Sequence, residues 1–330
     1  MATSTNAERS GGGGERTVSN PLTQWLENLG EAGFAYLLLS PALVVLLVIA
    51  VWPLFSTLRL SFHADSIVGA SNVGGWVGVQ NYAKLLTGQL DPLLVRPFFS
   101  LDHLFSSAVT VTLLFTVVTV AFETLIGLGQ ALVLNQDFRG RRWARVAIIL
   151  PWSVPIVIQG MIFFLLFQPG IGFLVPPLQH LGVFTASPLS NHVDSFVIVS
   201  VADIWKTSAF MALIILAGLQ SIDRQLYDVA NVAGASPWQQ FKMITFPLVL
   251  PSILVAMLFR TIAAMRVYGI IETVSNCSTV PSLSCMVVNT FSSHYYGSAA
   301  TLAFVTAILI GIVVSVYIYG FAGDESGGGF

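Results

Sequence analysis

The sequence predicts an all-α integral membrane protein with six transmembrane helices and one polar helical segment held at the membrane face. Three observations carry that expectation. Of the 330 residues, 55% are hydrophobic and only 9% are charged, where a soluble domain carries about 25% charged residues. The apolar residues gather into runs of the length a bilayer needs, roughly 20 residues each. Between the runs, Lys and Arg concentrate in alternate loops, the pattern that orients a multispanning chain. The net charge of −2 gives no footing for a nucleic-acid partner.

Residues 1–33 are polar and contain the glycine run Gly11–Gly14, which predicts a flexible arm. The first apolar run begins near Phe34 and is too long for a cleaved signal peptide, so it is expected to stay as a span. The six spans are expected at Phe34–Leu60, Leu104–Asn135, Trp143–Phe167, Ser195–Gln220, Ile244–Tyr268 and Ala299–Phe321. Together they make a membrane domain over 34–321, followed by a short tail over 322–330. Pro151 and Pro155 are expected to kink the third span.

The loop after the second span holds Arg139, Arg141, Arg142 and Arg145. The loop after the fourth holds Arg224 and Lys242, and the N-terminal arm holds Arg9 and Arg16. The loops Pro169–Asp194 and Gly269–Ser298 contain no Lys or Arg, and the first loop on that side has Lys84 and Arg96. Basic loops stay in the cytoplasm, so both termini are expected there. Cys277 and Cys285 then fall in the last outer loop, facing an oxidising space. They are a candidate disulfide; two free thiols are the alternative, since spacing does not supply the Cα distance a bridge needs.

One stretch interrupts the apolar pattern, "DVANVAGASPWQQFKMITFP", Asp228 to Pro247. Asp228–Ala233 is expected as a short helix, with Gly234 able to end it in the left-handed conformation. Ser236 supplies a hydroxyl cap, Pro237 fits the first helical position, and Gln239 completes a Ser-x-x-Gln box. A second short helix carrying Trp238, Phe241 and Ile244 follows before Pro247 opens the fifth span. By pattern alone, this helix–turn–helix is either an amphipathic connector on lipid headgroups or a docking element.

The stretch resembles the EAA motif of permease subunits of binding-protein-dependent ABC importers, E-A-A-x-x-D-G-A, then eight residues, then I-x-L-P. Asp228 stands at the Glu position, Val229 and Ala230 at the two Ala positions, and Gly234, Ala235, Ile244 and Pro247 match. The departures are Asp228 for Glu, Val229 for Ala, Ala233 where the family has Asp, and Phe246 where it has Leu. Three further stretches, "GWVGVQNYAKLL" (Gly75–Leu86), "DIWKTSAFMALIILAGLQSI" (Asp203–Ile222) and "LFRTIAAMRVYGIIETV" (Leu258–Val274), look like the carbohydrate, maltose-type branch.

That resemblance implies the type I ABC importer permease fold in a bacterial inner membrane. Residues 223–247 would be the coupling segment, seated in a cleft of a separate ATPase through Asp228, Ala230, Gly234, Ala235, Ser236 and Trp238. It also implies a second, different permease, two ATPase copies and an extracytoplasmic sugar-binding lipoprotein. The chain itself would bind no cofactor, with ATP and Mg used by the ATPase. The implied cargo is a disaccharide of the trehalose or maltose class.

Polar residues inside spans usually face protein or water. Thr112, Thr116, Thr119, Glu123, Gly127 and Gln130 form one helical stripe, which either lines a hydrophilic path or packs against other helices. Asp203 and Lys206 lie three apart and are expected to neutralise each other, with Trp205 beside them as a platform for a sugar face or a packing residue. Arg260 and Arg266 are placed in the outer half of the fifth span, with Glu272 just beyond. Glu123, Trp205, Lys206, Arg260 and Arg266 are the candidates for the translocation path. The family often carries an acidic residue near Ala263, which this chain lacks, so no sugar site is carried over.

No G-x-x-x-x-G-K-[ST] loop occurs, and the glycine run leads into Glu15 and Arg16. The five histidines show no H-E-x-x-H spacing, and neither a metal site nor a catalytic residue is expected. The competing class is an ion-coupled secondary transporter, whose internal repeats are not evident in this sequence.

Overall fold

In the computed structural model, which describes residues 30–66, 73–90 and 98–325, five helices are long and apolar enough to cross a membrane, and a bent pair brings the number to six when it is counted as one broken span. Residues 1–29, Arg96 and the tail beyond 325 lie outside the described residues, so the N-terminal arm and most of the tail are not assigned a structure. The chain divides into two units at Thr57/Leu58. The first holds most of α1 (Glu31–Ser61), an apolar helix that passes through a π-helical stretch at Leu47–Val51.

The second unit opens with a small antiparallel hairpin, β1 (His63–Asp65) and β2 (Val73–Trp76), followed by α2 (Gln80–Leu86). An all-α expectation did not include this hairpin, because strands of three and four residues leave no readable alternation. Asn81 fastens it, donating its side-chain amide to the carbonyls of Ser61 at 3.0 Å and His63 at 2.8 Å. Then come α3 (Ala108–Asn135), α4 (Arg141–Ser153), α5 (Ile156–Phe167), α6 (Val175–His180), α7 (His192–Gln220) and α8 (Arg224–Val232). After α8 follow α9 (Pro237–Ala264), α10 (Gly269–Val274), α11 (Leu283–Ser292) and α12 (Tyr296–Glu325). Asp65 of β1 accepts from the backbone N–H groups of Gly297 at 2.7 Å and Ser298 at 3.1 Å, and from the Ser298 hydroxyl. The carboxylate thus answers donors that the first turn of α12 leaves open.

The third span, expected over Trp143–Phe167 with kinks at Pro151 and Pro155, is broken beside Pro155 alone. It is α4 and α5, bent by 91° at Val154–Pro155. Pro155 has no N–H to donate and pushes Val154 into the extended region, with φ −71° and ψ 128°. Pro151 stays inside α4 without breaking it. A second correction concerns the helix after Ser236. It does not stop before Pro247 but runs through a π-helical stretch at Phe241–Thr245 into the fifth crossing. That crossing ends at Ala264, short of the expected Tyr268.

α3, α7 and α9 form the heart of the second unit and carry two apolar cores at different levels. One joins Val111, Phe115 and Val120 of α3 to Phe196, Ile198 and Val199 of α7, and to Ile270, Ile271 and Val274 of α10. The other joins Ala131 and Leu134 of α3 to Met211, Ile215 and Leu219 of α7, and to Val249, Ile253 and Ala256 of α9. Cys277 and Cys285 are bonded to each other beside the first core, with Cα atoms 5.4 Å apart.

The close approach of α3 and α7 depends on Gly127. A Cβ there would sit 2.6 Å from Met211 Cβ and 3.1 Å from the Ala212 backbone nitrogen. A Gly127→Val variant is therefore expected to lose about 1–3 kcal/mol to overpacking. The check is the thermal midpoint of detergent-solubilised protein, which should fall; an unchanged midpoint would contradict the packing described.

Candidate functional site

Two features set this unit apart from an ordinary helical bundle. The first is the knuckle made by α8, the turn after it and the start of α9. Asp223 caps α8 by accepting from the Gln225 N–H at 2.9 Å. At the other end Gly234 takes φ +77°, the Gly234 N–H donates to Asn231 O, and the Ala235 N–H donates to Ala230 O. These are the paired bonds of a Schellman turn. Ser236 and Gln239 then form the capping box, with the Ser236 N–H donating to Gln239 Oε1 at 2.8 Å.

Side chains brace the two limbs. Gln240 Nε2 donates to Asn231 Oδ1 at 2.6 Å and to Ala235 O at 3.1 Å. Tyr227 and Thr245 share a hydroxyl–hydroxyl bond of 2.9 Å. Trp238 stacks on Phe241 with ring centroids 5.5 Å apart. The braced tip presents apolar surface: Val232 is 92% exposed, and Val229 and Trp238 are each 69% exposed. Asp228 lies exposed on the same helix. Beside the start of α8 is a cavity of about 530 Å³, lined by Asn135, Asp137, Arg141, Gln220, Arg224 and Tyr227. There Asp137 pairs with Arg141 at 2.8 Å and lies 3.7 Å from Arg224, linking the α3–α4 corner to the knuckle.

The second feature is a charged layer between the two apolar cores. Arg260 of α9 donates through Nε to Glu123 Oε2 at 2.5 Å and through Nη2 to Glu123 Oε1 at 3.0 Å. Its Nη2 also meets Asp203 Oδ2 of α7. Thr207 of α7 donates its hydroxyl to Glu123 Oε1 at 2.5 Å. All three charged residues are buried, Glu123 completely. A forked guanidinium can serve two carboxylates at once, which an ammonium does less well.

Asp203 therefore pairs with Arg260 and not with Lys206, a correction to the local pairing expected three residues apart. The spacing puts both residues on one helix, but Lys206 gives its Nζ to the carbonyl of Val154. That carbonyl lies at the break between α4 and α5, where the extended backbone of Val154 takes it out of the helical ladder. Trp205, 39% exposed, packs on Phe163 of α5 with centroids 6.0 Å apart. Arg266 lies exposed in the turn after α9, outside the helix and apart from the charged layer. Glu272 accepts from the Cys277 N–H at 3.1 Å.

The stripe on α3 is turned into the protein. Thr112, Thr116 and Thr119 are buried, and their hydroxyls donate to carbonyls four residues back. Among the described residues no group of His, Cys, Asp and Glu is arranged to hold a metal ion.

Residues 123–322 match the family model described as binding-protein-dependent transport system inner membrane component, a range that takes in the charged layer, the knuckle and α12. The chain belongs to this family. As an inner-membrane permease of the ABC-importer type, it is similar over nearly its whole length to several transport-system permeases. It is 34% identical to the trehalose/maltose transport system permease protein MalF of Thermococcus litoralis, covering 91% of this chain and 97% of the relative. It is also 34% identical to the sulfoquinovosyl glycerol transport system permease protein SmoG of Agrobacterium fabrum, covering 90% and 92%. The trehalose transport system permease protein SugA of Mycobacterium tuberculosis is 27% identical, covering 95% and 97%. A solved bacterial ABC transporter involved in import of the acidic polysaccharide alginate shares the fold, with a TM-score of 0.68 at 20% identity, covering 86% of this chain and 93% of that one.

Sequence reasoning on this permease found the knuckle because its cap residues are local. It found Glu123, Asp203 and Arg260 as polar residues in spans, but missed Thr207 and the way all four meet, since the partners lie 57 to 137 residues apart. Arg260→Ala leaves two buried carboxylates without their counter-charge and is expected to cost about 3–5 kcal/mol. Thermal midpoints in detergent test this: Arg260→Ala should fall well below wild type, and equal midpoints would remove the layer's claim to hold the helices together.

Proposed function

We propose that this chain is one of two different membrane subunits of an ATP-driven sugar importer, and that its knuckle docks into a separate ATPase. The observation that carries this reading is the braced knuckle, a rigid tip with exposed apolar surface built directly onto a membrane-crossing helix. A floppy loop would absorb displacement; a capped and cross-linked turn passes it on. Asp228, Ala230, Gly234, Ala235, Ser236 and Trp238 are the docking residues in this reading, within a coupling segment over 223–247 of a membrane domain that spans 34–321. The basic loops put the knuckle and both termini in the cytoplasm. An extracytoplasmic binding protein delivers the sugar on the opposite side. Two ATPase copies bind and hydrolyse ATP with Mg, and the chain itself takes no cofactor.

The sugar assignment draws on relatives named for trehalose, maltose and sulfoquinovosyl glycerol transport. A disaccharide of the trehalose class is the cargo we favour. Of the path candidates, Trp205 and Lys206 keep part of their surface open on α7, beside the broken third crossing. They offer an apolar platform and a hydrogen-bond donor, the pair of surfaces a sugar ring presents in reverse. Glu123 and Arg260 face the chain's own interior and support the path from behind, while Arg266 stands exposed beyond the end of α9.

The test is labelled trehalose and maltose uptake by cells lacking this chain, complemented with wild type or with Gly234→Val. A β-branched residue is strained at φ +77°, so the variant should insert in the membrane normally, fail to retain the ATPase on purification, and lose uptake. Wild-type uptake by the variant would overturn the docking role. Uptake of both sugars unaffected by deletion would overturn the cargo.

A further inference from the structure

We infer that Arg260 is the point at which movement of the knuckle passes to the other core helices, tying α9 separately to α3 through Glu123 and to α7 through Asp203. The inference rests on the proposed docking of the knuckle and adds where its displacement goes.

α9 starts within the knuckle at Pro237 and continues to Ala264. From Trp238 to Arg260 is ~33 Å of helix at the usual rise per residue. Between those points α9 touches α7 and α3 through the apolar core of Val249, Ile253 and Ala256. Such contacts are numerous but non-directional. At Arg260 the character of the contact changes. The guanidinium makes two bonds to Glu123 and one to Asp203, and all three groups are buried. Sliding α9 along either neighbour would part a buried ion pair and leave a charge without a partner, which a low-dielectric interior opposes strongly.

The tie is doubled on the side away from α9. Thr207 of α7 donates to the same Glu123 oxygen that Arg260 Nη2 approaches, so α3 and α7 are joined to each other as well as to α9. The cluster closes a triangle between three helices at one level, with an apolar core on each side. It acts as a positioning device. None of its members needs to touch the cargo for the three helices to move as one body.

The experiment uses the assembled importer with two spin labels on this chain, at Met243→Cys on α9 and at Val193→Cys on α7, both exposed. The native cysteines are bonded to each other and do not compete for label. Distances are measured without nucleotide and with a non-hydrolysable ATP analogue. A second labelled pair joins Met243→Cys to Leu113→Cys on α3, also exposed. In otherwise wild-type protein both distances should stay fixed on adding the analogue, because the three helices move together.

The double variant Asp203→Leu/Thr207→Val removes both of α7's bonds to the cluster and leaves Glu123 and Arg260 paired. It should shift or broaden the α9–α7 distance with nucleotide, while the α9–α3 distance stays fixed. The triple variant Glu123→Leu/Asp203→Leu/Arg260→Met exchanges the charged layer for apolar packing, which can keep a protein stable. It should release both distances. A simple stabilising role would leave the apolar triple variant behaving like wild type, and that result overturns the inference, as does a nucleotide-dependent shift in wild type. Failure of the ATPase to co-purify with the wild-type chain would instead sink the docking proposal, which separates the two.

Discussion

In hydrocarbon a polar group has no water to fall back on, so each must find its partner within the protein. Much of this chain's second unit is arranged by that constraint. Three threonines along α3 answer their hydroxyls with carbonyls of the preceding turn, which lets polar residues sit in a buried helix face. At the break before Pro155 the extended Val154 turns its carbonyl out of the helical ladder, and Lys206 answers it from the neighbouring helix. Gln159, one turn past the break, gives its amide to the carbonyl of Ala202. The charged layer is the largest case, with two carboxylates sharing one guanidinium and a threonine hydroxyl completing the set.

The knuckle follows different rules. Its ends are closed by a glycine turn, a serine cap and a glutamine that reaches back, the devices that finish helices in soluble proteins. Its apolar residues Val229, Val232 and Trp238 are exposed, with no described residue covering them. Built onto α9, it joins an exposed turn to a buried charged layer along one continuous helix. The membership of this chain in a family of binding-protein-dependent transport components gives that arrangement its context.

How much of this could be read in advance depended on distance along the chain. The knuckle was legible almost residue by residue, because Ser236, Pro237 and Gln239 act on each other over three positions. The crossings were legible from apolar runs, with ends displaced by a few residues. The 91° bend was half-legible: Pro155 announced a kink, but the magnitude depends on what α4 and α5 pack against. Asp203 was misassigned because Lys206 is the nearer opposite charge in sequence, whereas α9 brings a better-matched one from 57 residues away. The β1–β2 hairpin was not legible at all. Its strands are too short for periodicity, and much of what holds it comes from residues far along the chain.

Asp65 makes this last point concrete, since its partners Gly297 and Ser298 are 232 and 233 positions downstream. A ribosome delivers them near the end of translation, when all but the final crossing has emerged. Until then those bonds cannot form, and the segment around Asp65 lacks this anchor on the side where α12 begins. The closing contact of biogenesis is therefore made by one of the earliest acidic side chains in the membrane domain, and a truncation that spares the knuckle and the charged layer but removes α12 leaves the first loop without its anchor.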